Sequence, residues 1–505
     1  MTKPMAHEKR DRLLNGLQAF IDTPLERLLA LDYRPAPAEQ ALALFHDIAR
    51  TVPAYRAFLE EQGVAPESIR CAEDFATLPL SNKQNYLAKH PLAALCRHGR
   101  LETCDTIAVS SGSTGTPVFW PRFVTDELAI AVRFEQVFHD SFHADSRLTL
   151  AVVCFALGTW VGGMYTAACC RHLAAKGYPL TVVTPGNNKD EILRVIEALG
   201  PNFDQVVLLG YPPFLKDVID TGRARGIAWP KYHIKLVLAG EVFSEEWRAL
   251  VLERAGASDH CRDAASLYGT ADAGVLGNET PLSVCIRRFL ADTPEAARQL
   301  FGEPRLPTLV QYDPLQRYFE SSDGTLVFSG DNGIPLVRYH ISDEGGLVDY
   351  PEMLRFLKEW EFDPLAALEP GDDRGIRPLP FAFVFGRSHF VISYFGANIY
   401  PENVSVGLEE SGIREWVTGK FVMQPREDED KNRFLAIVIE LAPGETASDE
   451  RRDAAVQAIV RELRRLNSEF ANYVPPASQL PHVELKALGD PEWFPAGVKH
   501  RYTRP

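Results

Sequence analysis

Thr106-Ile-Ala-Val-Ser110-Ser111-Gly112-Ser113-Thr114-Gly115-Thr116-Pro117-Val-Phe-Trp120 sets the frame for the whole chain. Two apolar, strand-like segments, Ile107–Val109 and Val118–Trp120, flank a run of Ser, Thr and Gly closed by Pro117. Glycine lets a backbone turn sharply and approach a ligand closely. Successive N–H groups in such a turn form an anion-binding nest, and the hydroxyls add donors. The polyphosphate of a nucleotide suits such a loop. It is not a Walker A loop, because no Gly-Lys-Ser/Thr follows and the next segment reads as strand. A solvated hairpin turn uses the same residues and stays open as the alternative.

Outward from this loop, length and composition set the bounds. At 505 residues the chain exceeds what one hydrophobic core usually supports, so two or more domains are expected. A content of 46% hydrophobic and 24% charged residues is that of an ordinary globular protein. The formal net charge of −15 argues against non-specific binding to nucleic acid or to an anionic membrane, while leaving room for a local basic funnel. The N-terminal MTKPMAHEKRDRLL is charged and lacks an apolar core of signal-peptide length. No stretch approaches the roughly 18 apolar residues of a membrane span. The eight cysteines include no C-x-x-C pair and read as reduced thiols, so a cytoplasmic location is expected.

Along the chain, helical periodicity runs from about Arg10 to Gly63, with Leu13, Leu14, Leu17, Phe20 and Ile21 on one stripe. Pro24 and Pro35-Ala-Pro37 divide it into separate helices. Ser81, in Leu78-Pro-Leu-Ser-Asn-Lys83, is placed to cap a helix holding Tyr86 and Leu87. After the glycine loop, Thr125–Ala144 reads as a helix. Its His139 and His143 stand at i and i+4, a metal-binding spacing, but without a third ligand ordinary surface histidines are favoured.

From Leu148 to Leu238 the pattern alternates. Leu148–Cys154, Leu180–Val183, Gln205–Leu209 and Ile234–Leu238 read as buried strands, with Val161–Lys176, Lys189–Leu199 and Pro213–Arg225 as helices between them. That alternation predicts an α/β fold with a largely parallel sheet covered on both faces. Ligands then sit beyond the carboxyl ends of the strands. Three loops there carry unusual polar residues: Ala239-Gly240-Glu241, Ser266 to Asp272, and Val337 to Asp343. A Pro/Gly-rich stretch, Pro364 to Pro380, interrupts the pattern. The tail from about Ile413 reads strand (Val417–Met423), strand (Phe434–Leu441), helix (Ser448–Ala471) and strand (His482–Leu488), enough for a small α+β unit.

The order of motifs carries more than any one of them. SSGSTGTP, GE, YGTAD, RYHISD, GR, GANIYP and a lysine near the end resemble the adenylate-forming superfamily. LPLSNKQNY and GANIYP are most similar to its phenylacetate–CoA ligase branch. The resemblance implies a large N-terminal AMP-binding adenylation domain, 1–386, built on sheets flanked by helices, with a helical lead-in over about 1–95. A small mobile α+β lid, 387–505, would follow.

It also implies chemistry: a carboxylate attacks the α-phosphate of ATP, and a thiol, usually coenzyme A, then displaces AMP. A carrier-protein phosphopantetheine or an amine stays open as acceptor, as does a non-catalytic nucleotide-binding role. By resemblance, Ser110, Ser111, Gly112, Ser113, Thr114, Gly115 and Thr116 cradle the phosphates. Lys499 bridges carboxylate and α-phosphate, and Asp272 holds Mg²⁺. Asp343 takes the ribose hydroxyls, and Gly240 and Glu241 line the adenine slot. Tyr268, with Gly269 and Thr270, stands near the adenine or acyl group, and Arg387 contacts the ribose or phosphate side.

Phe155, Trp160, Gly162, Gly163 and Tyr211 are expected to form a flat-walled acyl pocket for an aromatic or medium-size apolar acid. His389, Gly396 and Asn398 belong to the hinge and coenzyme A region. The homodimer is left open. Three positions depart from the superfamily pattern: Asp272 stands for the usual Glu, His389 for the hinge acid, and Gly497-Val-Lys499 for Gly-Lys.

Overall fold

The computed structural model describes residues 3–30, 36–110, 118–302, 306–368, 374–387, 391–494 and 501–504. The strands flanking the glycine loop, β1 (Thr106–Ser110) and β2 (Val118–Arg122), pair antiparallel with Ser110 opposite Val118. Ser111 to Pro117 lie outside the described residues.

The alternating region folds as its periodicity dictates. β3 (Thr149–Val153), β4 (Leu180–Val183), β5 (Gln205–Gly210), β6 (Ile234–Ala239) and β7 (Ala264–Thr270) run parallel in the spatial order β4-β3-β5-β6-β7. Every residue of β3 and β5 is buried, which is why both read as continuous apolar runs. The connecting helices turn one apolar face to the sheet. In Lys189–Leu199 the buried residues are Ile192, Leu193, Val195 and Ile196, and the Asn188 side chain caps the first turn by accepting the Glu191 N–H.

After β7 the sheet turns antiparallel, so the expectation of a largely parallel sheet holds for one half only. Only three residues separate β7 from β8 (Gly274–Asn278), too few for a parallel crossover, and the two form a hairpin. β9 (Thr308–Gln311), β10 (Tyr318–Ser322), β11 (Thr325–Gly330), β12 (Leu336–Val348) and β13 (Phe381–Arg387) complete an eleven-stranded mixed sheet, continuing in the order β8-β9-β13-β12-β11-β10. Helices of the lead-in bury Phe45, Ile48, Tyr55 and Phe58 in one core with Phe328 and Tyr339 of this antiparallel half. Ser81 is not a helix cap. Its N–H and hydroxyl bond the carbonyls of Arg338 and Val337, at 3.1 and 2.9 Å, tacking the preceding loop along β12.

Beyond β13 come the hairpin β14 (Ile392–Tyr394) and β15 (Ala397–Ile399). β16 (Val417–Glu427), β17 (Arg433–Leu441) and β18 (His482–Lys486) then form a separate three-stranded sheet. The single helix expected over 448–471 is two, Asp449–Leu466 and Ser468–Tyr473. Asn467 leaves helical geometry between them and caps the second by accepting the Phe470 N–H at 2.9 Å. Among the described residues, no helix is long and apolar enough to cross a membrane.

Candidate active site

A cavity of about 310 Å³ opens beyond the carboxyl ends of β5, β6 and β7, where β1, β12 and the β14–β15 hairpin converge. This is where an open α/β sheet leaves its loops free to meet a ligand.

Asp272 lies in the β7–β8 turn and is buried. Its Oδ2 accepts the Tyr339 hydroxyl at 2.5 Å. Among the described residues Oδ1 receives no hydrogen bond, and it faces the Lys83 ammonium at 3.5 Å. Lys83 also stands 5.7 Å from the Trp120 ring centroid, and the Trp120 indole N–H donates to Ser110 Oγ at 2.8 Å. A cation and a carboxylate thus meet at the described end of the glycine loop. Asp343, buried on β12, accepts the Tyr268 hydroxyl at 2.7 Å. The Arg387 backbone pairs with Asp343 across β12 and β13; the Arg387 side chain, His389, Ser111 to Thr116 and Lys499 lie outside the described residues.

Gly240 and Glu241 border the cavity, yet the Glu241 carboxylate is already engaged. Oε1 accepts the Gly396 N–H at 2.8 Å and Oε2 pairs with Arg433 of β17. Burial raises the Glu241 pKa above its ordinary value, against the opposing pull of Arg433. This carboxylate, at the border of the cavity, fastens the chain beyond β13 to the loop after β6. Ser393 adds a hydroxyl bond of 2.8 Å to the Gly240 carbonyl.

The residues expected to form an acyl wall divide in a way the sequence does not foretell. Phe155, Gly162 and Tyr211 border the cavity, together with Phe134, Val161 and Val275. Trp160 lies behind the wall, its ring edge-on to Tyr473 at 5.0 Å. Gly163 serves packing rather than the pocket, since a Cβ there would lie 2.1 Å from the Ala156 carbonyl oxygen. Tyr211 meets Phe155 edge-on at 4.8 Å and stacks on Tyr473 at 5.4 Å. Gly396, expected near the hinge, is part of this wall. Its φ is +80° and a Cβ would sit 2.1 Å from the Tyr211 ring, so only glycine fits. Asn398 also borders the cavity, and its N–H donates to Glu469 at 3.1 Å.

Lys83, Tyr339, Arg433 and Tyr473 are the additions to the expected set. Lys83 stands inside LPLSNKQNY and Tyr339 inside RYHISD, both visible motifs; nothing local marks Arg433 or Tyr473. His139 and His143 are half-buried rather than surface residues, and His139 Nδ1 lies 2.8 Å from Asp140 Oδ1. Among the described residues no group of three or more His, Cys, Asp or Glu is built to hold a metal ion. All eight cysteines are free thiols.

No family model matches the chain. Three curated proteins are similar to it, each named phenylacetate-coenzyme A ligase. That of Aromatoleum evansii is 23% identical over 385 residues, covering 75% of this chain and 76% of the relative. That of Thermus thermophilus is 24% identical over 326 residues, 63% and 66% of the two chains. That of Pseudomonas putida is 22% identical over 367 residues, 70% of each. Among solved structures, 2-hydroxyisobutyryl-CoA ligase with 2-HIB-AMP and CoA, in its thioesterification state, superimposes with a TM-score of 0.64 at 16% identity, over 93% of this chain and 88% of that one. The same ligase in its postadenylation state gives 0.52 at 15% identity over 93% and 87%. The chain is therefore similar in sequence to phenylacetate-coenzyme A ligases, and its fold is that of the solved 2-hydroxyisobutyryl-CoA ligase.

Proposed function

We propose that the chain is an AMP-forming carboxylate–CoA ligase acting on an aromatic or medium-size apolar acid. The observation that carries this reading is the convergence of Lys83, Asp272, Asp343 and Tyr268 with an apolar, aromatic wall in one cavity. In the first step a carboxylate oxygen bonds to the α-phosphorus of ATP and pyrophosphate departs with the electrons of the broken P–O bond. In the second, the thiolate sulfur of coenzyme A attacks the acyl carbon, and AMP leaves.

Attack of one anion on another needs cations and donors fixed around the phosphorus. Lys83, with Ser110 and the loop to Thr116, fits that need, as does Lys499 from the other end of the chain. Asp343 accepts from ribose hydroxyls in this reading, while Tyr268 holds its carboxylate in place. Asp272 Oδ1, buried, facing Lys83 and without a hydrogen bond among the described residues, suits a single carboxylate ligand for Mg²⁺, which keeps several waters and takes its remaining ligands from phosphate. The ion would supply positive charge at the phosphates.

Phe134, Phe155, Val161 and Tyr211 favour a planar or branched apolar acyl group. The wall runs on into Gly396 and Tyr473, from beyond β13. This supports a large unit ending near 386 and a small unit, 387–505, that shifts between the two steps.

Acid-dependent ATP–pyrophosphate exchange with a panel of arylacetic, benzoic and medium-chain acids tests the reading. At least one acid should drive exchange, thioester should form only with coenzyme A, and Lys499→Ala should slow exchange by about 10²–10³-fold. ATP binding with no acid ever promoting exchange would overturn it.

A further inference from the structure

Two guanidinium groups stand behind the turn that carries Asp272. Arg122, the last residue of β2, is 1% exposed, and its Nη2 donates to the carbonyls of Ala271, at 2.5 Å, and Asp272, at 3.0 Å. Arg317, just before β10, is 5% exposed, and its Nη2 donates to the Ala273 carbonyl at 3.1 Å and to Asn332 Oδ1 at 2.8 Å. Three successive carbonyls are thus held by buried cations. Among the described residues, Arg122 Nε and Nη1 and Arg317 Nε meet no hydrogen-bond acceptor. The buried carboxylate of this region, Asp126, spends Oδ2 on the backbone N–H groups of Phe123 and Gly333, at 3.0 and 2.9 Å.

Neutral donors would satisfy three turn carbonyls at far lower desolvation cost than two guanidiniums. What guanidinium adds is a rigid planar fork and a permanent charge. Arg122 grips the backbone of Asp272 itself and of the residue before it, and Arg317 that of the residue after it, while the Asp272 carboxylate borders the cavity. The turn has no slack elsewhere. A Cβ at Gly269 would lie 2.6 Å from the Gly274 carbonyl oxygen, and one at Gly333 would lie 1.9 Å from that of Pro121, next to Arg122. A carboxylate that must share a divalent ion with substrate phosphates has to be held to within about 0.5 Å.

We propose that Arg122 and Arg317 are positioning residues that fix the Ala271–Ala273 turn and so aim Asp272 at the metal–nucleotide complex. This rests on the adenylation reading above. Neither arginine borders the cavity, so each acts through the turn and not on substrate.

The test uses the full chain and a readout independent of turnover: Mn²⁺ binding in the presence of ATP, followed by electron paramagnetic resonance. Arg122→Gln and Arg317→Gln should each weaken Mn²⁺ binding by about 10–100-fold, as lost outer-shell partners do. ATP affinity without metal should stay at the parent value, and Arg122→Lys and Arg317→Lys should recover part of the loss. In parallel, the Mg²⁺ needed for half-maximal pyrophosphate exchange should rise. Any of the four variants that keeps the parent near-ultraviolet circular dichroism and binds Mn²⁺ as the parent does overturns the proposal, whatever its melting temperature. If a Gln variant does not fold, the corresponding Lys variant decides the matter by the same measurement. A parent chain showing no exchange with any acid sinks the adenylation reading itself, whereas parent exchange with unaltered variants sinks only this one.

Discussion

The Ala271–Ala273 turn and the seam where the chain beyond β13 meets the rest are fastened by different kinds of bond. In the turn, buried guanidiniums grip backbone carbonyls, and the Tyr339 hydroxyl grips the carboxylate. At the seam, ion pairs between side chains stand beside the Gly396 N–H and Ser393 hydroxyl bonds. Arg433 pairs with Glu241, and Arg254 bridges Asp220 and Asp430. Lys216 reaches Asp220 at 2.7 Å and Asn432 at 2.6 Å. A backbone bond in a buried turn cannot be traded for water without unfolding the turn. An ion pair near the rim is re-solvated at little cost. The turn is therefore held through its backbone, whereas the seam combines the buried Glu241–Arg433 pair with more exposed pairs around it.

The sharpest way to break this contrast is Asp272→Asn. It keeps an acceptor for Tyr339 and should leave the melting temperature nearly unchanged, while lowering acid-dependent exchange by about 10²–10³-fold. Exchange at the parent rate would remove the turn from the chemistry.

Next in size is Arg433→Ala, which strands the buried Glu241 carboxylate. Breaking a buried pair from one side costs on the order of 3–5 kcal/mol. Hydrogen exchange should show β14, β15 and β17 losing protection while β5 to β7 keep theirs, and thioester formation should fall more than pyrophosphate exchange. Uniform loss of protection would mean the seam is no weaker than the turn.

A smaller effect concerns the ground behind the turn. Burial raises Asp126 to a pKa of about 6, partly opposed by Arg122, with Asp331 and Arg317 also acting on it. A raised carboxyl binds its proton more tightly in the folded state. Its contribution is fully present below about pH 4 and is lost as the pH rises to about 6, on the order of 3 kcal/mol in all. Asp126→Asn should remove that part of the slope from a plot of unfolding free energy against pH between those limits. An unchanged slope would show that Asp126 is already ionised.

The smallest change expected is Asp430→Asn at the exposed rim of the seam. Its effect should be small, largest at low salt and smaller at about 0.15 M. An effect undiminished by salt would mark the rim as tight as the Glu241–Arg433 pair.

How much of this the sequence carries depends on how local the cause is. The parallel half of the sheet is legible because β3 and β5 are buried throughout and the helices between them have clear amphipathic spacing and caps. The antiparallel half is not. Its strands are short or bulged, with register shifts between β11 and β12, and β12 carries Arg338 and Ser342 at positive φ. Asp272, Asp343 and Tyr268 are legible as residues because they sit in motifs. Their surroundings are not, because Arg122 is 150 positions from Asp272 and Arg433 is 192 from Glu241. Asn467, too, reads as an ordinary helix interior residue until the second helix turns away beneath it.

The ring of Tyr211 has a consequence for anyone reshaping the cavity proposed to take the acid. It leans on Gly240 and Gly396 so closely that a methyl group at either would stand 3.0 or 2.1 Å from it, and it is faced by Tyr473. Four positions spread over more than half of the polypeptide therefore form one indivisible unit of inheritance. Swapping the region around Tyr211 alone between relatives would import a side chain shaped for another chain's gap, so selectivity has to be transplanted as a set.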